Sequence, residues 1–162
     1  MDTKQKFCER MKEAIYWAKV RGARFNDAVA FAQGALESRW GQSTLSNLYN
    51  NLFGIKAGSS WKGAVAELPT WEYTSAKGWY YAPAKWRVYR SWQECLLDYS
   101  NIINTLPWYK DALPYLDNAD KFLKALLPAY DEPGWAYDPN YFDSVKNVGK
   151  EIEKMGYIKW DA

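Results

Sequence analysis

One carboxylate in this sequence stands where acid–base chemistry could be done. Glu37 lies within AQGALESRWGQS, residues 32–43, after a run of small and apolar residues and shortly before Trp40 and Gly41. Glycine is the usual residue just past a helix end, because it accepts positive φ without strain. Glu37 is therefore expected in the last turn or so of a mostly buried helix that ends near Trp40 and Gly41. Carbonyls point outward there and the helix dipole is negative. Lost hydration beside Trp40 and repulsion from the dipole both push a carboxyl pKa up. An acid that keeps its proton near neutral pH can protonate the leaving-group oxygen of a glycoside. The competing reading is an ordinary solvated glutamate at a helix end, since structural carboxylates outnumber catalytic ones.

Other chemistries are excluded by what the chain lacks. It contains no histidine. That removes a Ser-His-Asp triad, a Cys-His pair and any His-ligated zinc site from these residues. Cys8 and Cys95 are the only cysteines, and both fall on apolar helix faces, so two buried free thiols are expected rather than a disulfide. A net charge of +2 with pI near 8.4 is too balanced to argue for nucleic acid. No apolar run approaches the ~20 residues that span a bilayer, and the charged, amphipathic N-terminus has no signal-peptide core. No metal and no organic cofactor is expected.

The elements that must position Glu37 are legible in order. The 162 residues suit one domain, 1–162, with a real core, and a monomer is expected. Phe7, Met11, Ile15 and Ala18 form one stripe of a helix over residues 3–20, stopped by Gly22. Asn26 can cap a second helix with Val29, Ala32, Gln33 and Leu36 on one face. A short helical turn fits Thr44 to Tyr49, and the rest of that stretch reads as loop. From about 61 to 90, aromatic and β-branched residues among Thr, Gly and Pro predict a small irregular hairpin of two or three strands, turning around Ser75 to Gly78. Ser91 and Glu94 form a capping box for a helix that carries Cys95, Leu96, Tyr99, Ile102 and Ile103 and ends at Pro107. A short helix around Tyr109 to Leu116 follows, then one capped by Asn118 with Phe122, Leu123, Leu126 and Leu127. Residues 128–134 read as loop. Asp138 and Pro139 predict a helix start with Asp at the N-cap, and the apolar face runs to Met155 before Gly156. The fold class is mainly α (α+β), a helical core with one β lobe.

Aromatic residues make up 18% of the chain, with 10 Trp and 13 Tyr. Most belong to a core by default, but flat rings with a polar handle also suit a groove for sugars, which present apolar C–H faces.

Read together, these segments resemble the glucosaminidase family of peptidoglycan hydrolases, glycoside hydrolase family 73. The residues that carry the resemblance are Ala32-Gln33, Leu36-Glu37-Ser38, Trp40-Gly41-Gln42-Ser43, Asn51-Leu52-Phe53-Gly54-Ile55-Lys56 and Thr70-Trp71-Glu72-Tyr73. It continues through Arg87-Val88-Tyr89 with Ser91, then Trp135-Ala136 and Asp138-Pro139-Asn140-Tyr141. Each motif alone is weak; the ordered set over residues 32–141 is specific. The resemblance implies a lysozyme-like α core with a β lobe. It also implies cleavage of the β-1,4 bond after N-acetylglucosamine, towards N-acetylmuramic acid, in peptidoglycan glycan strands.

It implies roles as well. Glu37 matches the family's general acid. Glu72 matches a position on the β lobe often assigned as the second acid. Glu67 is its rival, but an odd separation puts the two on opposite faces of a regular strand unless Pro69 breaks the pleat. A third option gives the nucleophile's role to the substrate's own acetamido group. Tyr109 resembles a tyrosine that orients that group, with Trp108 standing where Arg is common; otherwise it is a core tyrosine. Asn51, Phe53, Gly54 and Tyr73 resemble the groove wall. For the first three the alternative is a loop that braces the active-site helix. Asp138 to Tyr141 reads as a helix-start device rather than a site. The rival activities are a lysozyme or lytic transglycosylase, and a non-catalytic glycan-binding or wall-structural protein. Action at the bacterial wall without a visible signal peptide suggests a phage endolysin released through a pore, or a domain expressed without its leader.

Overall fold

The computed structural model describes residues 1–129 and 132–160. Helix α1 (Thr3–Val20) begins at Asp2, whose side chain accepts from the Gln5 amide while Gln5 reaches back. This reciprocal cap satisfies two donors that a helix start leaves free. Phe7, Met11, Ile15 and Ala18 are buried as a stripe, and Gly22 turns the chain at φ +98°. Helix α2 (Asp27–Glu37) follows its Asn26 cap, which accepts from Val29 N at 3.0 Å.

Helix α2 is more central than a one-faced helix. Every residue from Ala28 to Ala35 is buried. It packs against α6 (Tyr141–Lys154), and also against α1 and α5 (Ala119–Leu126). A helix sealed on all sides must be apolar all round, and its alanines and Gly34 let neighbours approach. Each large side chain sealed in this core, such as Phe25, Phe31, Met11 or Phe122, contributes roughly 1.5–3 kcal/mol.

The remaining helices close this core. Helix α3 (Thr44–Tyr49) is capped by Ser43. Helix α4 (Trp92–Thr105) opens on Ser91, whose Oγ accepts from Glu94 N at 3.1 Å, and packs along α1. Pro107 then starts a 3₁₀ segment, Pro107–Tyr115, where a short helix over 109–116 was expected. Asn118 caps α5 as expected. The start of α6 differs: the helix begins at Tyr141, two residues after Pro139. Asp138 Oδ1 accepts from Asn140 N at 2.9 Å, and the Asp138 carbonyl from Tyr141 N at 3.0 Å. Asp138 thus makes a local Asx-type turn that precedes the helix instead of capping it. Of the loop expected over 128–134, residues 130 and 131 lie outside the described set.

Both cysteines are free and buried. Burial pushes their thiols up, to about 11 for Cys8 and about 12 for Cys95. Cys95 Sγ accepts from Leu52 N at 3.4 Å, so it works as a core residue.

Between α3 and α4 stands a two-stranded antiparallel ribbon, β1 (Val65–Thr74) and β2 (Gly78–Arg87). It is regular, where an irregular hairpin was expected. All ten residue pairs stay in register from Val65 with Arg87 to Thr74 with Gly78. Pro69 faces Pro83 directly. A pair without N–H groups can only occupy a non-hydrogen-bonded position, so the ladder passes both prolines without loss. Residues 75–77 make the turn, and Gly78 takes φ +67° to rejoin the ladder. The base of the ribbon is tied to the helices. Residues 55–57 bond to β2, and the Arg87 guanidinium donates to Asp98 of α4 at 2.9 Å, with the Tyr89 hydroxyl donating to the same carboxylate.

Candidate active site

Glu37 is the last residue of α2, and the chain beyond it takes an unusual path. Arg39, Trp40 and Gly41 have φ of +50°, +58° and +80° in succession. The helix therefore ends at Glu37 rather than near Gly41. Left-handed backbone at a bulky residue costs of order 1–3 kcal/mol and persists only when its surroundings enforce it. Here Ser38 does so: its Oγ donates to the Gly34 carbonyl at 2.5 Å and accepts from Gly41 N at 2.8 Å. The Trp40 amide reaches back to the Ala35 carbonyl at 2.8 Å, and its ring meets Phe7 edge-on at 5.8 Å. This clamp holds Glu37 at the protein surface above a buried helix.

Glu37 keeps access to solvent, yet its carboxyl is set among dense protein. That desolvation pushes its pKa up. An opposing influence comes from α6: the Tyr141 hydroxyl donates to Glu37 Oε1 at 2.8 Å and pulls the pKa down, but burial is the larger effect. Among the described residues Oε2 has no hydrogen-bond partner, so one carboxyl oxygen is held and the other is free.

Sequence reasoning missed Tyr141 as a site residue and treated its segment as a helix start. Behind it are two more residues. Gln33 Nε2 donates to Tyr141 Oη at 3.1 Å, and the Tyr99 hydroxyl donates to Gln33 Oε1 at 2.5 Å. Both Gln33 and Tyr99 are fully buried. One signal could have found Gln33. It lies four residues before Glu37, on the same side of a helix that is otherwise apolar, and a buried amide must find partners.

The expected groove residues divide. Phe53, Gly54 and Tyr109 line one hollow of about 260 Å³, together with Ile55, Arg87 and Trp135. Trp135 meets Tyr99 at 5.2 Å, Phe53 at 6.1 Å and Tyr109 at 6.2 Å, while Phe53 stacks on Tyr99 at 4.4 Å. The hollow is thus joined through Tyr99 to the hydrogen bonds that reach Glu37. Tyr109 is nearly buried, and burial raises its hydroxyl pKa. Asn51 does not belong to the groove wall. It is 1% exposed, its Nδ2 donates to the carbonyls of Ile55 and Arg87 at 2.9 Å, and its Oδ1 accepts from Ile55 N at 3.0 Å. Its amide is used up in bracing the loop, which is the alternative the sequence left open.

On the ribbon the pleat is unbroken, so Glu67 and Glu72 do face opposite ways. Glu72 lies on the less exposed face, opposite Tyr80 in register, and pairs with Lys56 at 2.6 Å rather than with Glu37. Tyr73 lies on the other face, where its ring meets Trp79 at 5.4 Å beside the Trp71–Tyr81 pair. Adjacent strand residues cannot share a face, so Tyr73 is removed from any cleft that Glu72 serves. No cluster of three or more His, Cys, Asp or Glu suited to a metal ion is found among the described residues. Nor is any described helix long and apolar enough to cross a membrane.

The model of the glucosaminidase family, described as mannosyl-glycoprotein endo-beta-N-acetylglucosaminidase, matches residues 14–154. The chain belongs to this family. Among its relatives is the peptidoglycan hydrolase FlgJ of Vibrio cholerae, 33% identical over 99% of this chain and 47% of the relative. FlgJ of Escherichia coli K12 is 36% identical over 76% of this chain and 39% of the relative. The chain spans about half the length, or less, of such curated relatives. Of solved structures, the catalytic domain of the autolysin Auto from Listeria monocytogenes superposes with a TM-score of 0.79 at 27% identity, covering 98% of this chain and 89% of that one. A glycoside hydrolase domain from Salmonella typhimurium FlgJ gives 0.70 at 30% identity, covering 96% and 100%. The glucosaminidase domain keeps the expected architecture, a helical body with a β lobe.

Proposed function

We propose that this chain is an endo-β-N-acetylglucosaminidase that hydrolyses the β-1,4 bond between N-acetylglucosamine and N-acetylmuramic acid in bacterial peptidoglycan. The observation that carries this reading is Glu37, an acid with a raised pKa, one oxygen fixed by Tyr141 and the other open. Glu37 gives its proton from the open oxygen to the glycosidic oxygen. The C–O bond breaks with its electron pair on the departing sugar, and positive charge spreads over the oxocarbenium-like ring left behind. That proton transfer is worth ~10²–10⁴ in rate.

The second half of the reaction needs a group on the other side of the sugar. Glu72 takes that role, as a base that removes a proton from attacking water, once the substrate displaces Lys56 from it. Its place on the inner ribbon face supports this over Glu67. Phe53, Gly54 and Tyr109 hold the sugar in their hollow, with the Tyr109 hydroxyl turned to the acetamido group. The route in which the acetamido oxygen itself attacks is distinguished by Glu72→Gln: a strong loss of turnover supports the water route, and a small loss equal to that of Glu67→Gln supports the acetamido route.

The deciding experiment is mass spectrometry of fragments released from purified peptidoglycan. Reducing-end N-acetylglucosamine is expected, and Glu37→Gln should release none. Reducing-end N-acetylmuramic acid, or the anhydro sugar, would assign a lysozyme or a transglycosylase instead. No new reducing ends would assign a binding protein. The exo-glucosaminidase LytG of Bacillus subtilis, 30% identical over 83% of this chain, makes the point of attack part of the same test: internal cleavage gives long fragments, terminal cleavage gives small ones.

A further inference from the structure

We propose that Tyr99 and Gln33 are positioning residues that decide which oxygen of Glu37 carries the transferable proton. This rests on the reading of Glu37 as the general acid. The Tyr99 ring is enclosed by Phe25 at 5.4 Å, Phe53 at 4.4 Å and Trp135 at 5.2 Å. Among the described residues its hydroxyl has one hydrogen-bond partner, Gln33 Oε1 at 2.5 Å. A buried O–H without an acceptor is costly, so the Gln33 carbonyl must turn towards Tyr99. The Gln33 NH₂ then has to point the other way, to Tyr141 Oη at 3.1 Å.

Tyr141 has a single hydroxyl hydrogen. Because its oxygen already accepts from Gln33, that hydrogen is directed at Glu37 Oε1, 2.8 Å away. In a neutral carboxyl the carbonyl oxygen is the better acceptor, so the Tyr141 hydrogen selects Oε1 as the carbonyl oxygen. The proton of Glu37 therefore resides on Oε2, the oxygen with no partner among the described residues, where a glycosidic oxygen can receive it. If the Gln33 amide were reversed, its carbonyl would take the Tyr141 hydrogen. Glu37 would then donate its own proton back to Tyr141, away from the substrate. Tyr99 opposes that reversal through its bond to Gln33 and stands three hydrogen bonds from Glu37. Burial and the Tyr141 hydroxyl act on Glu37; burial acts most on Tyr141, followed by Glu37, Gln33 and Tyr99.

The test is Tyr99→Phe, which removes one oxygen and keeps the stacked ring. The kcat and KM are measured across pH on purified peptidoglycan, with Tm recorded for each variant. Plateau kcat should fall about tenfold, a part of what a positioned general acid supplies, with KM within about twofold of the parent. The basic limb of kcat should move up by about half to one pH unit, the size of one net hydrogen bond's effect on an ionisation. A profile that superposes on the parent overturns the proposal, as does a kcat loss with an unmoved limb, which is what a purely structural role gives.

A second variant keeps the test decisive if Tyr99→Phe loses stability through its unpaired amide. Gln33→Met combined with Tyr99→Phe removes both polar partners and restores an apolar fit. Its kcat and limb should remain displaced even with a parental Tm; their return to parental values overturns the proposal. Glu37→Gln separates the two levels. If it remains active, the acid is misassigned and the relay falls with it. If it is inactive while Tyr99→Phe behaves as the parent, the relay alone fails.

Discussion

A glutamic acid serves as a general acid only while it holds its proton, and in the role proposed for Glu37 two opposed influences set that range. Burial raises the pKa, and the Tyr141 hydroxyl lowers it by stabilising the ionised form. Removing the hydroxyl with Tyr141→Phe should leave burial unopposed. Activity is lost as pH rises through the pKa of the acid, so the basic limb should move to higher pH, read from initial rates across pH. Stability follows from the same shift. The folded pKa lies above the unfolded one, so the stabilising contribution of Glu37 is full below the unfolded value and is lost as pH rises through the folded value. Glutamine does not ionise. Glu37→Gln should therefore melt with the parent at low pH and above it at neutral pH, a gain visible by calorimetry and bought with the loss of hydrolysis. Glu37 itself was legible because Gly41 announces a helix end. Its partners were not, because Tyr141 lies 104 residues away in sequence and only folding brings α6 onto α2.

At the scale of elements, local signals located the helices well and their ends less well. Asn26, Ser91 and Asn118 cap where their side-chain chemistry directs. Asp138 has the same chemistry but spends it on a turn, and the left-handed run at residues 39–41 has only its glycine to signal it. The run of small and apolar residues pointed to a mostly buried α2, and Ala28 to Ala35 are all buried; the single face drawn for it was too narrow, because alanine carries little periodic contrast. Close helix packing also explains two glycines that no turn requires. A Cβ added at Gly149 of α6 would lie 2.3 Å from the Trp160 ring, while one at Gly34 of α2 would lie 2.8 Å from the flexible tip of Met11. A rigid indole cannot yield, whereas a methionine end can. Gly149→Ala should destabilise the protein by about 1–3 kcal/mol despite the better helix propensity of alanine, and Gly34→Ala by distinctly less. Denaturant unfolding of the two variants checks the order; a larger loss at Gly34 would contradict this account of the packing.

At the scale of the molecule, the helical body and the ribbon are separable in energy but joined in the proposed chemistry. The strands pair with each other, and the outer half of the ribbon carries exposed rings rather than core. What holds it is its base: the Arg87–Asp98 pair, the Asn51 brace and the bonds from residues 55–57. Leu68 stands opposite Ala84, and the Trp86 indole donates to the Leu68 carbonyl at 2.9 Å. Replacing residues 69–83 by Asn-Gly would close the hairpin there with a two-residue turn and leave every base contact in place. The shortened protein should keep its helical circular dichroism and melt within a few degrees of the parent. Its hydrolysis of peptidoglycan should fall by at least ~10²-fold, because Glu72, the proposed base for the attacking water, leaves with the tip. Glu72→Gln in the full-length ribbon should account for most of that loss. If the shortened protein is far weaker than the point variant, the aromatic tip contributes to holding the glycan strand. If both retain near-parental turnover, the second half of the reaction belongs to the substrate's acetamido group and the ribbon is dispensable for it.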